Sequence, residues 1–268
     1  MEKNYRLRII LVYFVKILFG YIKNISEVSK KGSKSMACDS GVTEQEASVQ
    51  NKEEIDSKEE RENMSSSLVL KKIPEFKMMA YDAETTHYKE VKTSDYQGKW
   101  TVVCFYPADF TFVCPTEIAA MNAKYDEFQA MGVEILAVST DTHFSHKRFV
   151  ETEPLLKGLK LTIGADPTGN VSRAFGVLME EEGLALRGRF LFNPEGICVA
   201  QEVQAPMVGR NVNEFLRQVK AWQHATKTGE VCPAGWEPSG KTLPVNTDIE
   251  QMTGRVGDYI TLEEIVKN

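Results

Sequence analysis

The stretch FYPADFTFVCPTEIAA, residues 105–120, places Cys114 directly before Pro115, which reads as the first residue of a helix. Proline is tolerated there because its missing N–H would have had no partner in a helix's first turn. A cysteine at that junction faces unpaired amides and the positive end of the helix dipole. Both favour an anion, so the position suits a nucleophilic thiolate. Full ionisation of an ordinary thiol gains only about thirtyfold in nucleophile, about 2 kcal/mol. A working site therefore also needs donors for charge developing on a leaving group. Thr111, three residues before the cysteine, offers a hydroxyl. Arg187, in GLALRGRF, is the candidate guanidinium, since arginine is always charged and presents a fork of donors.

The other thiols carry weaker signals. Cys232 stands in TGEVCPAGWEPSG, among loop-forming Gly and Pro residues. It is either incidental or a thiol available for exchange, and it is too distant in sequence to form a C-x-x-C pair with Cys114. Cys104 and Cys198, in apolar strands, read as small buried hydrophobes, and Cys38, in a polar tail, reads as incidental. Most cysteines are core filler, and Cys114 is set apart only by its place before a helix-starting proline. His143 and His146 in THFSH have helical spacing but no third ligand nearby, so no metal site is expected. A Cys–His hydrolase would need a base oriented by a third group, which the sequence does not reveal. No Walker or G-x-G-x-x-G loop is present, so no nucleotide is expected. A net charge of -6 argues against nucleic acid. Five widely spread cysteines do not form the framework of a small secreted domain.

The elements that must position these groups follow from residue pattern. WTVVCFYP, 100–107, is a buried strand closed by proline. Apolar residues at helical spacing predict a helix over 115–131, with Gly132 at its C-terminal end. VEILAVST, 133–140, is a second strand, and DTHFSHKRFVE a helix with a capping Asp or Thr. Then come strand LTIGA, turn DPTG, a helix around NVSRAFGV, a hairpin around NPEG within residues 187–203, and an amphipathic helix over 211–226. This order predicts an α/β fold with a mixed central sheet flanked by helices, most economically thioredoxin-like.

Residues 66–268 are expected to form this domain, and residues 1–65 an N-terminal extension. Within the extension, the apolar run 9–22 follows a basic MEKNYRLR. It is shorter than a membrane span and contains Lys16, so it leaves export or membrane association open. Residues 39–63 are charged, nearly free of large apolar side chains, and expected to be disordered. Cytoplasmic location is the default expectation.

FYPADFTFVCPTE resembles the active-site segment of the peroxiredoxins, whose pattern P-x-x-x-T-x-x-C is filled by Pro107, Thr111 and Cys114. VSTDTHFSHKRF, ADPTGNVSRAFGV, EEGLALRGRF, VGRNVNEFLRQVKAWQ and GEVCPAGWEP resemble successive segments of the same family, in order, over roughly residues 70–245. The nearest subgroup is the alkyl hydroperoxide reductase C-type, or typical two-cysteine, peroxiredoxins. The resemblance implies a thiol peroxidase in which Cys114 is the peroxidatic nucleophile and passes through a sulfenic acid. Thr111 and Arg187 would bind the peroxide oxygens, Pro107 would shield the site, and Glu117 and Arg210 would orient the guanidinium or the helix. Cys232 would be the resolving cysteine, supplied by the partner subunit on an arm starting near residue 226. A homodimer, often assembled into decamers, is implied, recycled by a thioredoxin-like or dedicated disulfide reductase, with no metal, haem or flavin. The alternative is a peroxide sensor or holdase chaperone that uses the same cysteine. A general disulfide oxidoreductase is disfavoured by the missing C-x-x-C.

The Gly-Gly-Leu-Gly stretch and C-terminal Tyr-Phe of peroxide-sensitive relatives are absent; EPLLKGLKLTIG and a tail VGDYITLEEIVKN stand instead. Relative resistance to overoxidation is the expected outcome. Mass spectrometry during turnover at low peroxide checks it, and accumulation of the sulfinic form would contradict it.

Overall fold

The computed structural model describes residues 67–243, 254 and 256–266. The predicted extension, with its apolar run 9–22 and Cys38, lies outside the described residues. The β-branched and aromatic runs build a seven-stranded sheet from β1 (Lys77–Asp82), β2 (His87–Lys92), β3 (Trp100–Phe105), β4 (Val133–Ser139), β5 (Thr162–Ala165), β8 (Arg187–Phe192) and β9 (Cys198–Gln204). Its order is β2-β1-β5-β4-β3-β8-β9. β3, β4 and β5 run parallel, while β1, β8 and β9 pair antiparallel with their neighbours. The sheet is therefore mixed, as expected. A small second ribbon joins β6 (Leu178–Met179) and β7 (Leu184–Ala185).

The helices are α1 (Cys114–Ala123), α2 (Tyr125–Ala130), α3 (His143–Thr152), α4 (Asn170–Ala174), α5 (Val212–Thr228) and α6 (Leu262–Val266). Among the described residues none is long and apolar enough to cross a membrane. The single helix expected over 115–131 is instead two, broken at Lys124, whose ψ of 4° leaves the helical region. Asn122, just before the break, bonds Gly158 O and Lys160 N across the fold, a tertiary tie with no sequence signature.

Successive side chains of a strand point to opposite faces, and β3 shows the use made of this. Val102 and Cys104 join the core layer that includes Ile118, Met121, Phe128, Phe215 and Val219. Val103 and Phe105 join the other, with Phe175, Phe190 and Phe192. Phe175 is the hub of that second layer, with ring centroids 4.9 Å from Phe105, 5.2 Å from Phe190 and 6.1 Å from Phe192. At 1% exposure it leaves a cavity when truncated. Phe175→Ala is expected to cost about 3–5 kcal/mol of stability, read from the denaturant midpoint at unchanged m-value.

Candidate active site

β3 ends at Phe105, and an eight-residue loop leads to α1. Cys114 is the first helical residue and Pro115 the second, so the helix begins one residue earlier than expected. Val113 caps it without a side-chain hydrogen bond, and its carbonyl receives the amides of Thr116 at 3.0 Å and Glu117 at 3.3 Å. The first turn thus presents its dipole to Cys114 with no side chain competing at the cap. Cys114 is fully buried, at 0% exposure.

Arg187 opens β8, whose antiparallel pairing with β3 sets it beside the loop that follows β3. Its Nη1 lies 3.4 Å from Cys114 Sγ and 2.6 Å from Glu117 Oε2, while Nε donates to Pro206 O at 2.8 Å. Glu117 in turn accepts from Arg210 N at 2.7 Å and Nε at 2.8 Å on Oε1, and from Arg210 Nη2 at 3.2 Å on Oε2. Arg210 Nη2 also donates to Phe105 O at 3.0 Å. All three side chains are at most 7% exposed. Burial works against the Glu117 charge, but the Arg210 and Arg187 guanidiniums outweigh it and hold the carboxyl below its usual value. Burial likewise opposes the charge on Arg210, and the neighbouring Cys104 and Glu117 outweigh it, so this guanidinium is held charged.

Of the residues singled out from sequence, Cys114, Glu117, Arg187 and Arg210 form one cluster. Pro107 is buried at the start of the same loop. Thr111 is exposed, and its hydroxyl donates to Ala108 O at 2.9 Å. Cys232 lies apart from this cluster, partly buried against α5 in the segment that follows it, with Sγ 3.6 Å from Ala221 O. Burial pushes its thiol up, against the lowering effect of Arg217. Cys198 is buried on β9 with its thiol pushed up to about 11 by desolvation, the inert environment expected of a core cysteine. All four described cysteines are free thiols. Among the described residues no group of three or more His, Cys, Asp or Glu could hold a metal ion.

Two further groups were not anticipated. Asp109, in the same loop, is 6% exposed. It accepts from Tyr106 OH at 2.7 Å and Ser145 Oγ at 2.7 Å, and His146 Nδ1 lies 2.9 Å away. Its own amide donates to Asp141 Oδ2 at 2.8 Å. Burial pushes the Tyr106 hydroxyl far up, so it stays a neutral donor. A lone Asp among Pro, Ala and Phe was the available signal. Arg189 is buried two residues beyond Arg187, on the same strand face. Its guanidinium lies 4.0 Å from the Phe215 ring centroid and its Nη2 pairs with Glu202. The period-2 spacing in RGR could have flagged it.

Comparison with known proteins places this geometry in context. The AhpC/TSA family model matches residues 69–201, and the model for the C-terminal domain of 1-Cys peroxiredoxin matches residues 221–259, a span that contains Cys232. Alkyl hydroperoxide reductase C of Staphylococcus aureus is 43% identical over 184 residues, covering 68% of this chain and 97% of that protein. Among solved structures, a reduced 2-Cys peroxiredoxin of Plasmodium vivax superposes with a TM-score of 0.62 at 36% identity, over 66% of this chain and 92% of that one. AhpC of Enterococcus faecalis superposes with a TM-score of 0.59 at 38% identity, over 62% and 99%. The fold is accordingly thioredoxin-like.

Because its folded pKa is depressed, Glu117 lends stability that is fully present above its ordinary value of 4.5 and is lost as pH falls through the lower folded value. Glu117→Gln is expected to cost about 3 kcal/mol at neutral pH, since it leaves two buried guanidiniums without their counter-charge. The same variant should lose less additional stability than the parent between pH 4.5 and more acid conditions. Urea unfolding at a series of pH values checks both.

Proposed function

Because this chain belongs to the peroxiredoxin family and is thus a peroxidase, we propose that Cys114 is its peroxidatic cysteine and Cys232 its resolving cysteine. The contact that carries this reading is Arg187 Nη1 at 3.4 Å from Cys114 Sγ, with Glu117 holding the guanidinium from behind. The Cys114 thiolate attacks one oxygen of the hydroperoxide, the O–O bond breaks, and the sulfur becomes a sulfenic acid. The other oxygen leaves with the electron pair as hydroxide or alkoxide and takes up a proton to become water or alcohol. Arg187 stands where that negative charge develops, and Thr111 contributes its hydroxyl once a peroxide competes for it with Ala108 O. Pro107 excludes water from the loop side.

A second thiol then attacks the sulfenic sulfur, forming a disulfide and releasing water. Cys114 is fully buried and Cys232 is packed against α5, so this step requires the first turn of α1 to unwind. The family's habit of homodimers and decamers supports Cys232 coming from the partner subunit. A thioredoxin-like or dedicated disulfide reductase returns two electrons, a cycle suited to a reducing compartment such as the cytoplasm. Hydrogen peroxide and small organic hydroperoxides are the expected substrates.

Cys114→Ser is expected to abolish peroxide consumption by the purified protein with a thioredoxin system. Cys232→Ser should react once and stop as a sulfenic acid; sustained thioredoxin-dependent cycling of that variant would refute the resolving role. Mass spectrometry of the parent before and after an equimolar dose of peroxide should reveal a Cys114–Cys232 link between subunits.

A further inference from the structure

The side chains of Asp109 and His146 meet in the interior, both at 0% exposure. The protons on this pair can be counted from its neighbours. His146 Nδ1 lies 2.9 Å from Asp109 Oδ2, and Nε2 lies 3.1 Å from the carbonyl oxygen of Gly164 on β5. A carbonyl oxygen only accepts, and so does an ionised carboxylate. A third neighbour of Nδ1 is the Tyr106 oxygen at 3.4 Å, whose own proton is committed to Asp109 Oδ1 at 2.7 Å. The Ser145 hydroxyl likewise donates to Asp109 Oδ2 at 2.7 Å.

A neutral imidazole has one N–H and one bare lone pair. In this enclosure either tautomer turns that lone pair on an acceptor: on Asp109 when Nε2 has the proton, on Gly164 O when Nδ1 has it. Two buried acceptors facing each other forfeit a hydrogen bond. A ring with both protons has no such clash. Its charge is met by Asp109 in direct contact. Asp141 stands behind, its Oδ2 accepting from the Asp109 amide and from Ser139 Oγ, each at 2.8 Å. His146 lies in the first turn of α3, where the helix dipole disfavours a cation, but a carboxylate at hydrogen-bond distance outweighs that effect. Placing the proton on Asp109 instead would leave two hydroxyl donors converging on an uncharged acid.

We propose that His146 is a buried imidazolium, with a proton on each ring nitrogen, and that it is a positioning residue for Cys114. The ring joins two parts of the fold. Nε2 ties it to β5, an interior strand of the sheet, and Nδ1 ties it to Asp109. Asp109 lies between Pro107 and Thr111 in the loop that delivers Cys114, so the ion pair sets the front of that loop against the sheet. Charge makes this clamp stronger than a neutral hydrogen bond, and peroxide meets Cys114 in the geometry that the clamped loop provides. The double protonation stands on the ring's contacts alone; the positioning role rests on the reading of Cys114 as the nucleophile.

The test uses the full chain in its reduced form. Neutron diffraction from crystals grown in heavy water should show deuterium on both Nδ1 and Nε2 of His146. A bare ring nitrogen, or deuterium on the Asp109 carboxyl, overturns the imidazolium. Single-turnover oxidation of Cys114 by hydrogen peroxide, read by mass spectrometry after rapid quenching, tests the positioning. His146→Gln and Asp109→Asn should each slow it about tenfold. The double variant should be no slower than either, since each single change already releases the clamp. Alkylation of Cys114 by iodoacetamide, which needs no peroxide geometry, should not slow in step. Asp109→Asn keeps the shape of its side chain and carries the test if His146→Gln fails to fold. Unchanged oxidation in the single variants, losses that multiply in the double, or alkylation falling in proportion to oxidation would overturn the positioning role. Parent protein in which Cys114 does not react with peroxide would instead sink the peroxidatic reading, while leaving the ion pair to the neutron map.

Discussion

A carboxylate clasped by two guanidiniums inside the protein is the interaction on which the site's geometry depends. Glu117, Arg187 and Arg210 come from the first turn of α1, from the start of β8 and from the approach to α5, so one ionic knot ties three separate parts of the chain. Desolvating three charges is expensive, and such a knot is tolerable only when its hydrogen bonds are nearly complete. Here Glu117 is saturated, and Arg187 and Arg210 each spend further donors on backbone carbonyls of Pro206 and Phe105. The knot carries a net positive charge beside a sulfur. That surplus is ill suited to stability taken alone and well suited to an anion forming at Cys114.

The loop before Cys114 is anchored differently at its two ends. Asp109 pins its front to α3 through Ser145 and His146, and α1 pins its back through Glu117. Between these anchors Phe110 adopts a left-handed φ of 57°, which a bulky side chain rarely accepts. Its ring packs on Phe149 at 5.2 Å, while Phe112 is 76% exposed. Backbone strain of this kind persists only where surrounding contacts over-determine it. The segment carrying the cysteine is therefore held taut by its ends and is loosely packed in its middle.

How much of this was legible in the sequence depended on the kind of signal. The strand, loop and helix around Cys114 could be read because buried strands and helices have periodic apolar patterns and because proline marks helix starts. The β1–β2 hairpin escaped notice: β2 reads HYKEVK, an edge strand with one buried residue and no apolar alternation. The break at Lys124 escaped for a related reason, since the apolar period runs through it and the cause lies in Asn122's contacts with residues far along the chain. Glu117 and Arg210 were named from resemblance rather than from pattern, and Arg187 only as a guanidinium that spacing could not place, because nothing local tells a buried arginine from a solvated one. Asp109 and Arg189 show the same limit without a resemblance to help.

The two rims of the sheet are dressed unequally. Along β2 the exposed side chains include His87, Lys89, Glu90 and Lys92, and Lys89 and Lys77 pair with Asp82 and Glu90 across the ladder, a surface that repels a stray strand. At the opposite rim, among the described residues, the chain near Lys71 exchanges backbone bonds with Cys198 at the beginning of β9, and Leu68 N donates to the Gln201 side chain. From Val199 to Gln204 that rim contains no lysine or arginine and no proline. Among the described residues, then, charge guards one rim of the sheet against a stray strand far more than the other.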